Sequence, residues 1–110
     1  MKRKRSYSRV TKQALSVFGK LIRVCRTERG MTAQDLADRA NISRTTLHSI
    51  EKGAPGPEIG TVFEVAALVG VRLFDTDDRT LAMHKARLDE KLTLLPKSVR
   101  ASKQEVDDDF

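Results

Sequence analysis

Residues 32–53, TAQDLADRANISRTTLHSIEKG, concentrate the side chains able to do specific chemistry. Arg44, Thr45, Thr46, His48, Ser49 and Lys52 fall on the outward side of a short helix whose inward side is Leu47 and Ile50. An arginine at the start of an exposed helix can make two parallel hydrogen bonds to guanine O6 and N7. Thr45 offers a hydroxyl or, to thymine, a methyl. Thr32, Ser43, Thr46 and Lys52 stand at helix starts and flanks, where such groups meet phosphate oxygens. His48 faces solvent and is assigned only a weak phosphate contact. This is the chemistry of polyanion recognition, not of bond making.

The elements that position these groups are two short helices and a tight turn. Thr32 caps the first, from about Thr32 to Ala40, with Asp35 three residues on. Leu36, Ala37 and Ala40 lie on one face of it. Asn41 sits at the turn, where a positive φ is needed and Asn is the best choice after Gly. Ser43 caps the second helix and Gly53 ends it. Two helices at this spacing make a helix-turn-helix, whose second helix can enter the DNA major groove.

The stretch resembles the helix-turn-helix of the Cro/C1 (lambda and 434 repressor-like, or XRE) family, over roughly residues 14–74. Leu36, Ala37, Ile42, Leu47 and Ile50 occupy that family's core positions. The resemblance implies base contacts by Arg44, Thr45 and Ser49. It also implies a buried ion pair, Arg26 with Glu51, tying the first helix to the third. Ala33 departs from the pattern, standing where many members carry a DNA-contacting Gln. Asn41 replaces the usual Gly.

Around this motif the pattern predicts an all-α chain. Residues 1–10 read as a disordered basic arm, with Lys2, Arg3, Lys4 and Arg5 placed to touch DNA. Thr11 is the expected cap of a helix running to about Arg29. Its expected buried stripe is Ala14, Phe18, Leu21, Ile22 and Cys25, with Cys25 a buried structural thiol. Residues 53–58, GAPGPE, form a loop. A helix from about Gly60 to Val69 follows, with Val62, Val65, Ala66 and Val69 as core candidates. Residues 71–74 are a short apolar segment, either helix or edge strand. A last helix runs from about Arg79 to Leu94, ended by Pro96. Its stripe of Leu81, Leu88, Leu92 and Leu95 needs covering, by a second copy, by another protein or by its own domain. The expected divisions are 1–10, 11–76, 77–95 and 96–110. The fold class is a compact four- to five-helix repressor-like domain with an extra C-terminal helix and flexible termini.

Composition narrows the function. The formal charge of +6 is uneven: residues 1–30 hold ten Lys or Arg against one acid, Glu28, while residues 105–110 hold four acids and no base. The basic front suits a polyanion. The two histidines, His48 and His84, fall on separate helices. There is no phosphate-binding glycine loop and no paired metal-ligand spacing, so no enzyme, cofactor or metal site is expected. A lone cysteine excludes an internal disulfide. The absence of a long apolar run or signal core predicts a cytoplasmic protein with no membrane partner.

Four further pieces are similar to the HipB-like antitoxins that partner HipA-type kinase toxins. They are the basic arm, SRTTLHSIEKG, the proline-glycine loop and the tail LPKSVRASKQEVDDDF. This resemblance implies a homodimer on double-stranded operator DNA, with the toxin docked on it and the operon repressed by the complex. By its own chemistry the tail suits a protein partner, Phe110 as an anchor and Asp107, Asp108 and Asp109 steering it to a basic surface, and under the resemblance that partner is the toxin. A stand-alone or phage-type repressor, or a protein-binding adaptor, is the alternative.

Overall fold

The computed structural model describes residues 6–99. Its elements are α1 (Arg9–Glu28), α2 (Ala33–Ala40), α3 (Arg44–Glu51), α4 (Ile59–Leu68), a 3₁₀ turn (Leu73–Asp75) and α5 (Asp78–Leu94). The expected all-α class holds: there is no strand among the described residues. The chain divides into two units, the first ending at Asp75 and the second beginning at Thr76.

In the first unit α1 packs on α3, and α2 packs on both α3 and α4. The core is Ile22, Leu36, Ala37, Leu47, Ile50, Val65, Ala66 and Val69. Burial of each large aliphatic side chain contributes about 1.5–3 kcal/mol. Ile42, Ala40, Val62, Phe18 and Cys25 are partly buried against this cluster. Cys25 is therefore half-buried, where full burial was expected.

The helix starts are set by local chemistry. Ser8, not Thr11, caps α1: the Thr11 backbone N–H donates to Ser8 Oγ at 3.2 Å. Both residues are good cap formers three apart, and the extended backbone of Ser8 lets it take the role. The first helix thus begins inside the stretch expected to be arm. Asp77 caps α5 by accepting from the Thr80 backbone N–H at 2.9 Å. Residues 71–74 form no strand and no α-helix: 71–72 are irregular and Leu73–Asp75 form the short 3₁₀ turn, with Phe74 and Asp75 at φ of 57° and 56°.

One expectation fails on α1. Ala14 and Leu21 are exposed. The buried face runs through Ile22, as expected, and through Gly19, which was not, with Phe18 and Cys25 partly buried beside them. The reason is the crossing with α3. A Cβ on Gly19 would lie 2.5 Å from the Ile50 carbonyl oxygen and 2.6 Å from that of Glu51. The two backbones meet at this glycine, and the meeting rotates Ala14 and Leu21 outward.

In the second unit, α5 is an amphipathic helix that buries none of its residues. Leu88 is 62% exposed and Leu92 67%. Of the expected stripe, Leu81 is half-buried, while Leu88, Leu92 and Leu95 are left uncovered. No helix among the described residues is long and apolar enough to cross a membrane. Lys2, Arg3, Lys4 and Arg5, and Asp107, Asp108, Asp109 and Phe110, lie outside the described residues.

Candidate nucleic-acid interface

The motif is fixed at each joint by a residue whose type fits the task. Thr32 and Asp35 form a reciprocal capping box. The Asp35 N–H donates to Thr32 Oγ1, and the Thr32 N–H to Asp35 Oδ2, each at 3.0 Å. The bond from the Thr32 backbone, then its hydroxyl, holds the Asp35 carboxyl below the usual range. Asn41 adopts the left-handed conformation, φ 58° and ψ 46°, which reverses the chain after α2. The Ile42 N–H then returns to the Ala37 carbonyl at 2.9 Å. Ser43 caps α3, accepting from the Thr46 N–H at 3.0 Å.

The far end of α3 is tied to α1. Arg26 Nε donates to Glu51 Oε2 at 2.7 Å and Arg26 Nη2 to Glu51 Oε1 at 3.0 Å. Only 12% and 9% of the two side chains are exposed. Arg26 Nη1 also donates to the Met31 carbonyl at 2.9 Å, so one guanidinium fixes α3 and the α1–α2 loop together. The hydrogen bond that Arg26 donates to Glu51 raises the Arg26 pKa, and burial opposes it less strongly. A bidentate charged pair of this kind is geometrically specific as well as strong. Its guanidinium donors are spent inside the protein.

A cleft of about 570 Å³ opens beside this pair, between α1, the start of α2 and α3. Arg44, Thr45 and Lys52 line it, joined by His48 and by Arg23 from α1. Ser49 does not line it; it is half-buried on another side of α3. Thr32, Ser43 and Thr46 also stand outside the cleft. Ser43 Oγ donates to Thr46 Oγ1 at 3.0 Å while accepting the Thr46 N–H, so its hydroxyl is engaged on both sides. Thr46 keeps its own proton for an outside acceptor. Ala33 is the residue of α2 that lines the cleft, and it packs partly against the core, so the start of α2 sends no long side chain into the cleft.

Arg23 and Gly19 escaped the sequence reading. Arg23 lies one turn before Arg26 on the same side of α1, so the expected Arg26–Glu51 pair was a signal that its neighbour flanks α3. Gly19 had no comparable signal, because a close helix crossing is a tertiary event. Arg23, Arg44 and Lys52, with His48, therefore face one opening, while Arg26 and Glu51, which also line it, are paired with each other. Among the described residues no group of three or more His, Cys, Asp or Glu is placed to hold a metal ion.

A capped helix, a left-handed turn and a second helix pinned over a basic cleft define a helix-turn-helix protein. The family model described as helix-turn-helix matches residues 22–75. The chain is 38% identical over 45 residues to an uncharacterised HTH-type transcriptional regulator of Methanocaldococcus jannaschii, covering 68% of that protein and 41% of this chain. It is 36% identical over 55 residues, half of this chain, to the immunity repressor protein of Bacillus phage phi105. The match spans 38% of the length of the phage protein. The chain belongs to the helix-turn-helix family, of the Cro/C1 type.

Proposed function

We propose that this chain is a sequence-specific, double-stranded-DNA-binding transcriptional repressor that acts as a homodimer. The observation that carries the reading is the shared cleft of Arg44, Thr45 and Lys52 on a helix fixed at both ends. In this reading α3 enters the major groove. Arg44 reads guanine O6 and N7, and Thr45 and Ser49 contact neighbouring base edges. Thr32, Ser43, Thr46 and Lys52 meet phosphates, with Arg23 added to that set. Thr32 and Ser43 are already engaged in caps, so Thr46 and Lys52 are the stronger donors. Arg26 and Glu51 are structural and touch no base.

The uncovered stripe of α5 supports the homodimer. A lone helix of this length is marginal in water, so Leu81, Leu88, Leu92 and Leu95 need a partner surface. The same helix of a second copy presents the matching stripe. A two-fold dimer on B-DNA places its half-sites about 10 bp apart. Selection from a pool of random duplexes should therefore enrich one two-fold-symmetric sequence with that spacing. Enrichment of no sequence would overturn the reading.

The basic arm adds phosphate contacts in this account. Removing residues 1–5, which spares the Ser8 cap, should flatten the salt dependence of binding, because fewer counterions are released. An unchanged slope would show that Lys2, Arg3, Lys4 and Arg5 do not touch DNA.

A finer reading is that the chain is the antitoxin of a HipA-type module. Its support is the sequence resemblance in the arm, the recognition helix and the acidic tail. Truncation after Val99 should then weaken capture of a HipA-type kinase and leave DNA binding intact; equal capture would exclude the tail as its docking segment. The similarity to a phage immunity repressor supports instead a repressor acting without a toxin.

A further inference from the structure

Helix α1 has apolar residues on two faces, and the core uses one of them. Val10, Ala14, Val17, Leu21 and Val24 recur at steps of four, three, four and three, the spacing of a helix–helix seam. All five are exposed, Val10 to 75%, Val17 to 65% and Val24 to 50%. Single exposed apolar residues are ordinary on a protein surface; a continuous row about 21 Å long marks an interaction surface.

The surroundings of this row say what fits it. Along the first half of α1 it borders an apolar groove of about 490 Å³, whose far wall includes Pro57, Ile59 and Phe63. Ile59 is 70% exposed there. Along the second half, Lys20 and Arg23 flank Val24 in a shallow depression that Thr27 and Glu28 close at its far end, so cations outnumber acids there two to one. The free cations of α1 are Arg9, Lys12, Lys20 and Arg23, because Arg26 is committed to Glu51. The helix has one acid, Glu28.

These charges choose among occupants. A second copy of α1 would bring the same cations to the same seam, and like charges across an interface oppose docking. DNA has no use for a row of valines. A helix with its own apolar stripe, flanked by Asp or Glu, satisfies both the row and the cations. We propose that the outer face of α1, with the groove beside it, docks an acidic amphipathic helix of another protein. The mode is a helix laid in a groove, with anchors at alternating three- and four-residue steps. This surface shares Arg23 with the cleft assigned to DNA but none of the α3 residues assigned to bases, and its row of Val10, Ala14, Val17, Leu21 and Val24 lies outside that cleft, so the inference stands whether or not the operator reading does.

The test uses the full chain and two labelled synthetic peptides. Each has three heptads with Leu at the seam positions; one carries Glu on the flanks, the other Lys. Fluorescence anisotropy should show saturable binding of the Glu peptide and none of the Lys peptide. Val17→Asp should weaken the Glu peptide by more than about tenfold, as loss of a central anchor does. Its melting temperature should stay at the wild-type value, since Val17 faces solvent. Lys20→Glu, which removes no apolar contact, should shift preference toward the Lys peptide. Failure of the Glu peptide to bind, or equal binding of both peptides, would overturn the proposal. So would a wild-type dimer in sedimentation that Val17→Asp converts to monomer, because the face would then join two copies of this chain.

Discussion

Helices α3 and α5 show two ways for an amphipathic sequence to be helical. Helix α3 has eight residues, too few to persist alone, yet it is held at both ends and along its inner face. Ser43 caps its start, Leu47 and Ile50 are buried, Gly19 lets α1 press on its last carbonyls, and Arg26 grips Glu51 at its end. Helix α5 has seventeen residues, with a cap of its own and no buried side chain. Length does not decide which helix is fixed; the number of independent supports does. A helix that reads base edges, as proposed for α3, needs its direction set before DNA arrives, and the supports of α3 set it. A helix that meets a second copy, as proposed for α5, can wait for its cover.

Breaking the supports of α3 should give the largest effects. Glu51→Ala leaves Arg26 nearly buried without its carboxylate, and loss of one partner of a buried pair costs about 3–5 kcal/mol. Thermal melting should fall sharply, whereas base preference in the folded fraction should not change. A variant of wild-type stability with altered preference would make Glu51 a recognition residue. Gly19→Ala should come next. Its methyl group meets two backbone carbonyl oxygens that cannot rotate away, and overpacking of this kind costs about 1–3 kcal/mol. An unchanged melt would mean that α1 and α3 slide apart freely, and that α3 is not held there.

The same kind of change in α5 should behave differently. Leu88→Lys removes no buried contact, so the melt of the first unit should move by no more than about 0.5 kcal/mol. Sedimentation should instead show loss of the dimer. A large fall in stability without dissociation would place Leu88 in a core and erase the contrast between the helices. The smallest effect is the acid limb of the capping box. Hydrogen bonds from Thr32 lower the Asp35 pKa, so their stabilisation is complete above the ordinary aspartate value of about 3.9 and is lost as pH falls through the lower folded value. The stability difference between the wild type and Asp35→Asn should shrink on acidification across that window. A constant difference would show that the carboxylate is not what Thr32 stabilises.

The motif was legible in the sequence because its joints are local. Thr32 with Asp35, Asn41 and Ser43 each announce a backbone event within four residues, and the chain takes those conformations. The first helix was harder because it is apolar over more than half its circumference. A spacing rule accepts Ala14 and Leu21 as readily as Gly19 and Ile22, and only the close crossing with α3 chooses. Ser8 and Thr11 pose the same ambiguity at its start. Residues 71–74 carried too few side chains for any period, and the left-handed backbone at Phe74 has no signature in a phenylalanine. In the candidate site, Arg44, Thr45 and Lys52 could be placed from one helical wheel. Arg23 joins them through a contact between distant segments, which a wheel does not contain.

The most direct test of the account compares wild type and Arg44→Ala on the duplex enriched by selection and on its single-base variants. The variant should melt with the wild type, because Arg44 is exposed and outside the core. It should lose about 1–3 kcal/mol of binding, with discrimination relaxed at one base pair in each half-site. Unchanged affinity and unchanged discrimination at every position would contradict the claim that α3 reads DNA from this cleft.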